Sequence, residues 1–195
     1  VCGYMAAEPQ LSGLILSGLP PMFKVAVGEN ASGQWLTHSI LYSVNEWSAA
    51  PAGNELMLSR LAELLFVEAL RRYASALPPD QTGWLAASRD PALSRALTLI
   101  HQDPAYGWSL ETLARRAGLS RSRLAERFRH FLNRSPMEYV AQWRLKLGAE
   151  RLRTSQRSVA EIAAEVGYGS ESAFSRAFRR EYALPPAQYR RDRLA

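Results

Sequence analysis

The sequence predicts a mainly α-helical fold whose C-terminal part contains two helix-turn-helix units. The stretch from Ser158 to Tyr182 has the pattern of two short helices joined by a glycine turn, and the stretch from Ser109 to Tyr139 repeats that pattern. Basic charge is concentrated in the same part. Residues 81–195 contain 20 Lys/Arg against 11 Asp/Glu, whereas residues 1–80 contain 4 against 7. The resulting charges of +9 and −3 indicate that only the C-terminal part suits a polyanionic partner.

The first residues of the chain predict a mixed α/β piece. VCGYM (1–5) and MFKVAV (22–27) are strand candidates, and LSGLILSGLPP between them is a short helical or irregular segment. Two or three strands of this length cannot close a barrel. The chain starts with Val1 rather than methionine, and we expect that something preceded it.

Two helices follow these segments. Residues 31–48 place four apolar side chains on one helical face, namely Leu36, Ile40, Val44 and Trp47. A longer and more apolar helix starts at Asn54, a candidate cap, and ends before Pro78 and Pro79. Its inner side carries Leu58, Leu61, Leu65 and Tyr73. The run Leu64 to Val67 is apolar all round, so this helix can supply ordinary core or a dimer surface.

A loop from Pro78 to Trp84 precedes the next predicted helix, Ala92 to Gln102, which Asp90 and Pro91 open. Its inward residues are Leu93, Ala96, Leu97 and Ile100. Trp108 is then placed to pack as a hydrophobic staple against the first helix-turn-helix unit.

The two units superimpose in sequence with one inserted residue. Gly118 matches Gly167 at an offset of 49 residues, and the offset becomes 50 for the pairs Phe128 and Phe178, Pro136 and Pro186, and Tyr139 and Tyr189. In the first unit Ser120 caps the second helix, whose inward side chains are Leu124, Phe128 and Phe131 and whose outward ones are Ser122, Glu126 and Arg129. Two copies of one supersecondary unit are therefore expected.

A central helix connects the units. Ser135, Pro136 and Glu138 form a capping box with proline at the first position, and the helix should run to about Arg153. Its predicted buried side chains are Met137, Val140, Trp143, Leu147 and Leu152. Gly148 costs roughly 1 kcal/mol in the middle of a helix, so it indicates either close packing or a hinge.

The second unit begins with a reciprocal cap between Ser158 and Glu161, and Gly167 ends its first helix. Ser170 caps the next helix. At 100° per residue, one face of that helix holds Phe174, Ala177, Phe178 and Tyr182, and the opposite face holds Ser172, Arg176 and Arg179. An exposed face of this chemistry is what allows a helix to enter a DNA major groove.

Signals for other classes of protein are weak. His38, His101 and His130 have no metal-ligand spacing, and the motifs of serine hydrolases, P-loop proteins and dinucleotide-binding proteins do not occur. Cys2 is the only cysteine, so an intrachain disulfide is excluded and a reducing compartment is compatible. No apolar run reaches the length of a membrane span, and no signal-peptide pattern is present.

Three stretches together resemble the AraC family of bacterial transcription regulators: SLETLARRAGLSRSRLAERF (109–128), SPMEYVAQWRLKLGAERL (135–152) and SVAEIAAEVGYGSESAFSRAFRREYALPPAQYRR (158–191). The resemblance covers roughly residues 90–193. It implies a seven-helix domain in which a central helix holds two helix-turn-helix units, and their second helices, about 120–132 and 170–182, enter adjacent major grooves of a promoter.

A weaker resemblance concerns the preceding residues. VCGYM, LPPMF, QWL, RLAELLFVEALRRY and GWLAASRDPALSRAL resemble the end of a cupin-like effector domain. The expected organisation is a remnant of that sensor in 1–50, a helical connector and loop in 51–83, and the double helix-turn-helix DNA-binding domain in 84–195. The connector residues 54–77 would support a homodimer, and a small-molecule effector is expected only for a complete sensor.

The resemblance also assigns residues to DNA. The base-contacting positions are Ser122, Ala125 and Glu126 in the first unit, and Glu171, Ser172, Ser175 and Arg176 in the second. We expect the phosphate contacts to come from Arg121, Arg123, Arg129, Arg179 and Arg180. The helical faces predict Ser122, Glu126, Ser172 and Arg176 independently, whereas Ala125, Ser175 and Glu171 depend on the resemblance.

The predicted function is a cytoplasmic, nucleoid-associated regulator that binds double-stranded promoter DNA and contacts RNA polymerase, with no enzymatic activity and no cofactor. One alternative is the DNA-binding part of a DNA-repair alkyltransferase, although Cys2 lacks the neighbouring proline and histidine of such active sites. Another is a non-specific architectural DNA binder, although lysine-rich arms and intercalating wedges are missing. Activation and repression stay open.

Overall fold

The computed structural model describes residues 19–28, 30–49, 52–78 and 81–194, and the ten secondary-structure elements in these ranges are all helices. The chain divides into two compact parts. The described residues of the N-terminal part are those between 19 and 78, and the described residues of the C-terminal part are 81–194. The prediction of a mainly α-helical fold is confirmed.

The N-terminal part contains two helices that pack on each other, α1 (Ala31–Ala49) and α2 (Asn54–Ala76). The strand predicted over 22–27 is not formed, and these residues run without regular structure before α1. The reason is that no strand of the described residues lies beside them to pair with. The other strand candidate, 1–5, lies outside the described residues.

The start of α2 also differs from its prediction. Asn54 is the first helical residue, and the cap position is Gly53, whose φ of 83° places it in the left-handed region with no side-chain hydrogen bond. Arg72, near the other end of α2, donates hydrogen bonds to the carbonyl oxygens of Ala26 and Val27 at 2.9 and 2.6 Å. This arginine fixes the irregular residues before α1 against α2.

Eight helices form the C-terminal part. They are α3 (Trp84–Arg89), α4 (Pro91–Gln102), α5 (Leu110–Ala117), α6 (Arg121–Leu132), α7 (Pro136–Thr154), α8 (Val159–Glu165), α9 (Glu171–Tyr182) and α10 (Pro186–Leu194). The seven predicted helices correspond to α4–α10. The short helix α3 is additional, because six residues carry too little periodicity to be recognised in the sequence.

The helix caps predicted in the C-terminal part are present. Asp90 accepts a hydrogen bond from the amide of Leu93 at 2.8 Å, and Ser135 and Glu138 form the reciprocal capping box of the central helix. Ser158 and Glu161 form the same box in the second unit. Hydrogen bonds from Ser135 and Ser158 hold the pKa values of Glu138 and Glu161 below their ordinary range.

The C-terminal part has two separate hydrophobic cores that share the central helix α7. The first core is formed by α3–α6 with Tyr139 and Val140 of α7, and the second is formed by α8–α10 with Leu145, Ala149 and Leu152 of α7. Each unit therefore folds around a different segment of α7. The central helix sets the distance between the two units.

Gly148 of α7 marks close packing. A Cβ atom built on Gly148 would lie 2.7 Å from Cε2 of Phe174, and this phenylalanine is fully buried in the second core. Helix α7 continues unbroken through this position. Of the two interpretations that the sequence left open, the structure therefore supports contact with α9 rather than a hinge.

Candidate nucleic-acid interface

Helices α6 and α9 have the same pattern of buried and exposed positions. Each is 12 residues long, and each begins after a serine, Ser120 or Ser170, whose hydroxyl accepts a hydrogen bond from the third helical amide at 3.3 or 3.2 Å. In both helices the fourth and eighth residues are buried: Leu124 and Phe128 in α6, Phe174 and Phe178 in α9. The two helices thus present equivalent surfaces to solvent.

The turns that precede these helices differ by one residue, as predicted. Leu119 donates a hydrogen bond to the carbonyl of Ala114 at 2.9 Å, and Tyr168 donates the equivalent bond to Ala163 at 2.8 Å. Both bonds belong to a helix end closed by a glycine with positive φ, 76° at Gly118 and 87° at Gly167. Gly169, between Tyr168 and Ser170, is the inserted residue.

Most of the residues predicted to contact DNA are exposed. Ser122 and Glu126 are exposed and Ala125 is half-buried in α6, whereas Glu171, Ser172 and Arg176 are exposed and Ser175 is half-buried in α9. The arginines predicted to bind phosphate are also exposed; they are Arg121, Arg123, Arg129, Arg179 and Arg180. In each unit, the residues predicted to contact bases and those predicted to bind phosphate lie on the same helix and form one outward surface.

One arginine of α6 has a different environment. Arg127 forms an ion pair with Asp90, the residue that caps α4. Arg127 is not among the residues predicted to contact DNA, and this ion pair gives it a role within the fold. On α9, Glu181 accepts a hydrogen bond from Gln142 of the central helix at 3.3 Å. Sequence reasoning missed both contacts, because neither is visible in the period of a single helix.

The charges of the two outward helices are unequal. Residues 121–132 contain four arginines and one glutamate, and residues 171–182 contain three arginines and two glutamates. Because Arg127 is paired with Asp90, the excess positive charge on the surface of α6 comes from the exposed arginines around Glu126. Both helices can attract a phosphate backbone, and only α9 has an arginine in the middle of its outward surface.

Tyr139 and Tyr189 are equivalent in the repeat and both are buried, yet their surroundings differ. The Tyr139 hydroxyl lies 2.9 Å from Nε2 of His101 and accepts a hydrogen bond from the Trp84 indole at 3.2 Å. Tyr189 packs edge-on against Phe178 in the second core. Burial lowers the pKa of His101 to about 4 and raises the pKa of Tyr139 to about 12, so the first core holds a neutral histidine at pH 7.

Within the ranges that the structure describes, no group of three or more His, Cys, Asp or Glu side chains is arranged to hold a metal ion. No helix in those ranges is long and apolar enough to cross a membrane.

Comparison with known proteins identifies two segments of the chain. A helix-turn-helix domain family matches residues 113–192, and a cupin family matches residues 1–75. An AraC-like transcription regulator of Streptomyces antibioticus is 38% identical over 180 residues, which are 91% of this chain and 58% of the relative. The HTH-type transcriptional regulator AlkR of Acinetobacter baylyi is 34% identical over 179 residues, again 91% of this chain and 58% of the relative. The chain thus spans somewhat more than half the length of these relatives.

A solved structure resembles the C-terminal part. It is the DNA-binding domain of AdpA, a global transcriptional factor, in complex with a target DNA; the identity is 31%, the TM-score is 0.50, and the match covers 53% of this chain and 92% of that domain. The repeated units on a central helix, their equivalent outward surfaces and these matches lead to one conclusion. The chain belongs to the AraC family of bacterial transcription regulators.

Proposed function

We propose that this chain regulates transcription by binding promoter DNA in a sequence-specific manner, with α6 and α9 in adjacent major grooves. The observation that carries the proposal is the pair of equivalent helices, each with a buried apolar side and an exposed side of serine, glutamate and arginine. Side chains of these types are the usual partners of base edges and phosphates. The complex of the AdpA domain with its target DNA supports the same role here.

In this proposal α9 supplies most of the base recognition. Arg176 would donate two hydrogen bonds to O6 and N7 of a guanine, and Glu171, Ser172 and Ser175 would contact neighbouring bases. In α6, Ser122, Ala125 and Glu126 would face the bases but contribute less to base recognition than the α9 residues. Ala125 offers only a methyl contact, and Glu126 offers an acceptor for a cytosine amine. The exposed arginines predicted to bind phosphate would hold both helices in register.

Selection of bound duplexes from a random library at physiological salt tests the proposal. A sequence-specific regulator should enrich a motif with two parts, one for each unit. Failure to enrich any sequence while binding DNA strongly would support the architectural alternative instead. Failure to bind DNA at all would refute both.

We propose further that the chain has no enzymatic activity. The relatives are named as transcription regulators, and Cys2 has no adjacent proline or histidine of the kind that an alkyltransferase would use. Incubation with a duplex that carries an alkylated base, followed by mass measurement of the protein, checks this. A mass increase that is lost in Cys2→Ser would favour the alkyltransferase alternative.

A homodimer through residues 54–77 is the third part of the proposal, with RNA polymerase as a further partner in the cytoplasm. On α2, Leu56, Met57, Leu64 and Val67 are about half exposed or more and lie within one 100° arc of the helix. Apolar surface of this kind marks interaction sites. Sedimentation equilibrium should show association that Leu64→Glu weakens and that Ala62→Glu, at an exposed position outside this arc, does not.

A further inference from the structure

The loop between α4 and α5, residues 103–109, is firmly attached to the first unit. Trp108 is buried in the first core, and its indole donates a hydrogen bond to the carbonyl of Asp103 at 2.8 Å. The side chain of Asp103 accepts a hydrogen bond from the amide of Tyr106 at 3.0 Å. Arg116 of α5 lies over the rings of Tyr106 and Trp108 at 5.1 Å. The loop therefore moves with the first unit.

Arg144 of the central helix holds this loop. Its Nε donates a hydrogen bond to the carbonyl of Pro104 at 2.7 Å, and its Nη2 donates one to the carbonyl of Tyr106 at 2.8 Å. The side chain is half-buried, and its guanidinium gives charge-assisted hydrogen bonds that fix both the direction and the distance of the loop. In sequence, Arg144 lies between the α7 residues of the first core and those of the second.

The Gly167 turn of the second unit lies close to the same loop and to Arg144. A Cβ atom built on Gly167 would lie 2.7 Å from the Cα atom of Ala105 and 3.0 Å from Cζ of Arg144. Only glycine allows this approach, because both the space and the φ of 87° exclude a side chain. Burial lowers the pKa of Arg144, whereas Tyr168, the residue after Gly167, and Asp103 act in the opposite direction.

We propose that Arg144 is a positioning residue that locks the orientation of the two helix-turn-helix units relative to each other. The loop 103–109 belongs to the first unit and the Gly167 turn belongs to the second, and Arg144 bridges the space where they meet. Without this bridge the units stay joined by α7, but the angle between them is less restricted. Two recognition helices at a fixed angle enter successive grooves with a smaller loss of conformational freedom.

The first test measures the two units directly and does not depend on DNA. Spin labels are placed at Glu111→Cys in α5 and Ala160→Cys in α8, two exposed positions, in the full chain with Cys2→Ser. The distance distribution between the labels should be narrow in this parent protein and should broaden in Arg144→Met. Arg144→Lys retains the charge and part of the hydrogen bonding, and should give an intermediate width.

Arg190 offers a matched control. It donates hydrogen bonds to the carbonyls of Leu152 and Arg157 at 3.3 and 2.5 Å, all within the second half of the C-terminal part. Arg190→Met also removes a guanidinium from backbone carbonyls, but it should leave the distance distribution narrow. Thermal unfolding of each variant separates loss of stability from loss of orientation.

The second test rests on the proposed function. On a selected duplex with both half-sites, Arg144→Met should reduce the affinity about tenfold, because a less restricted angle lowers the effective concentration of the second unit at its half-site. On a duplex with a single half-site the affinity should be unchanged, and Arg190→Met should not distinguish the two duplexes. A wild-type protein that binds no duplex would refute the proposed function but not the lock.

The lock is refuted by a distance distribution that is equally narrow with methionine at position 144. It is refuted as well by an equal broadening in Arg190→Met, or by a broad distribution in the parent protein. Should Arg144→Met fail to fold, Arg144→Lys decides the question. The proposal would be contradicted if this variant had the same width of the distance distribution as the parent protein and the same ratio of affinities for the two duplexes.

Discussion

The two helix-turn-helix units have nearly the same interior and different outward surfaces. Phe128 and Phe178 are equivalent and fully buried, as are Leu124 and Phe174. At the equivalent outward position, however, the first unit has Glu126 and the second has Arg176. The interior is constrained by packing against α7, whereas the outward residues are free to vary with what each helix contacts. The comparison teaches that the units share one fold, and in the proposed function their outward surfaces contribute differently to DNA recognition.

The largest difference should appear when the equivalent outward residues are removed. Arg176→Ala should weaken binding to the selected duplex by up to about 3 kcal/mol and relax the preference at one base pair. Glu126→Ala should change the affinity by less than about 0.5 kcal/mol, because a glutamate gains little beside phosphates. Titrations against duplexes substituted at each position measure both effects. A larger loss from Glu126→Ala than from Arg176→Ala would reverse our assignment.

A control for this experiment lies on the same helix. Arg180 is exposed nearer the edge of α9 and is proposed to bind phosphate, so Arg180→Ala should weaken all sequences alike and reduce the salt slope by about one. If Arg176→Ala behaved in this way too, it would be a phosphate contact rather than a base contact.

Acid should affect the first unit more than the second. The pKa of His101 is lowered by burial to about 4 from the ordinary value of 6.5, so between these pH values the unfolded chain binds more protons than the folded one. The free energy of unfolding should therefore fall as the pH is lowered from 6.5 to 4. After allowance for partial exposure of the ring, the loss is about 2 kcal/mol.

Denaturant titrations at several pH values measure this loss. His101→Gln should remove most of the pH dependence in that window, since glutamine can still hydrogen-bond to Tyr139 without titrating. His130→Gln, at an exposed position of α6, should leave the dependence in place. An unchanged pH profile for His101→Gln would show that other groups cause the acid sensitivity.

The smallest effect concerns the packing of the second core on α7. Gly148→Ala gains helix propensity but forces the buried Phe174 ring to shift, and we expect a net loss of about 1 kcal/mol. Ala141→Gly, at an exposed position of the same helix, measures the propensity alone. A Gly148→Ala protein more stable than the parent would mean that Phe174 can move at little cost.

The sequence predicted the features that repeat. Helical periodicity and helix caps predicted α4–α9 and the inward side chains of α6 and α9, because those signals are local, whereas α10 followed only from the seven-helix domain that the resemblance implied. The cap at Asn54 was wrong, since Gly53 occupies that position, and the strand over 22–27 was wrong because no strand of the described residues lies beside it to pair with. Local patterns cannot specify such partners.

The contacts that hold the units together could not be predicted from the sequence either. Arg144 looks like any arginine on an amphipathic helix, and only the fold brings it to the carbonyls of Pro104 and Tyr106. Gly167 was predicted as a turn glycine, yet its second role is a close approach to Ala105, a residue about 60 positions earlier in the sequence. Which bases the outward residues contact stays a prediction.

The central claim is that both units read DNA from one rigid frame, and a spacing experiment tests it most directly. On the selected duplex, the half-sites should be centred about 10 to 10.5 base pairs apart. Inserting five base pairs between them turns the second half-site to the opposite side of the duplex. Equilibrium binding of the wild-type chain should then fall to the affinity of a single half-site. An affinity unchanged by the insertion would show that only one unit reads DNA and would contradict the account.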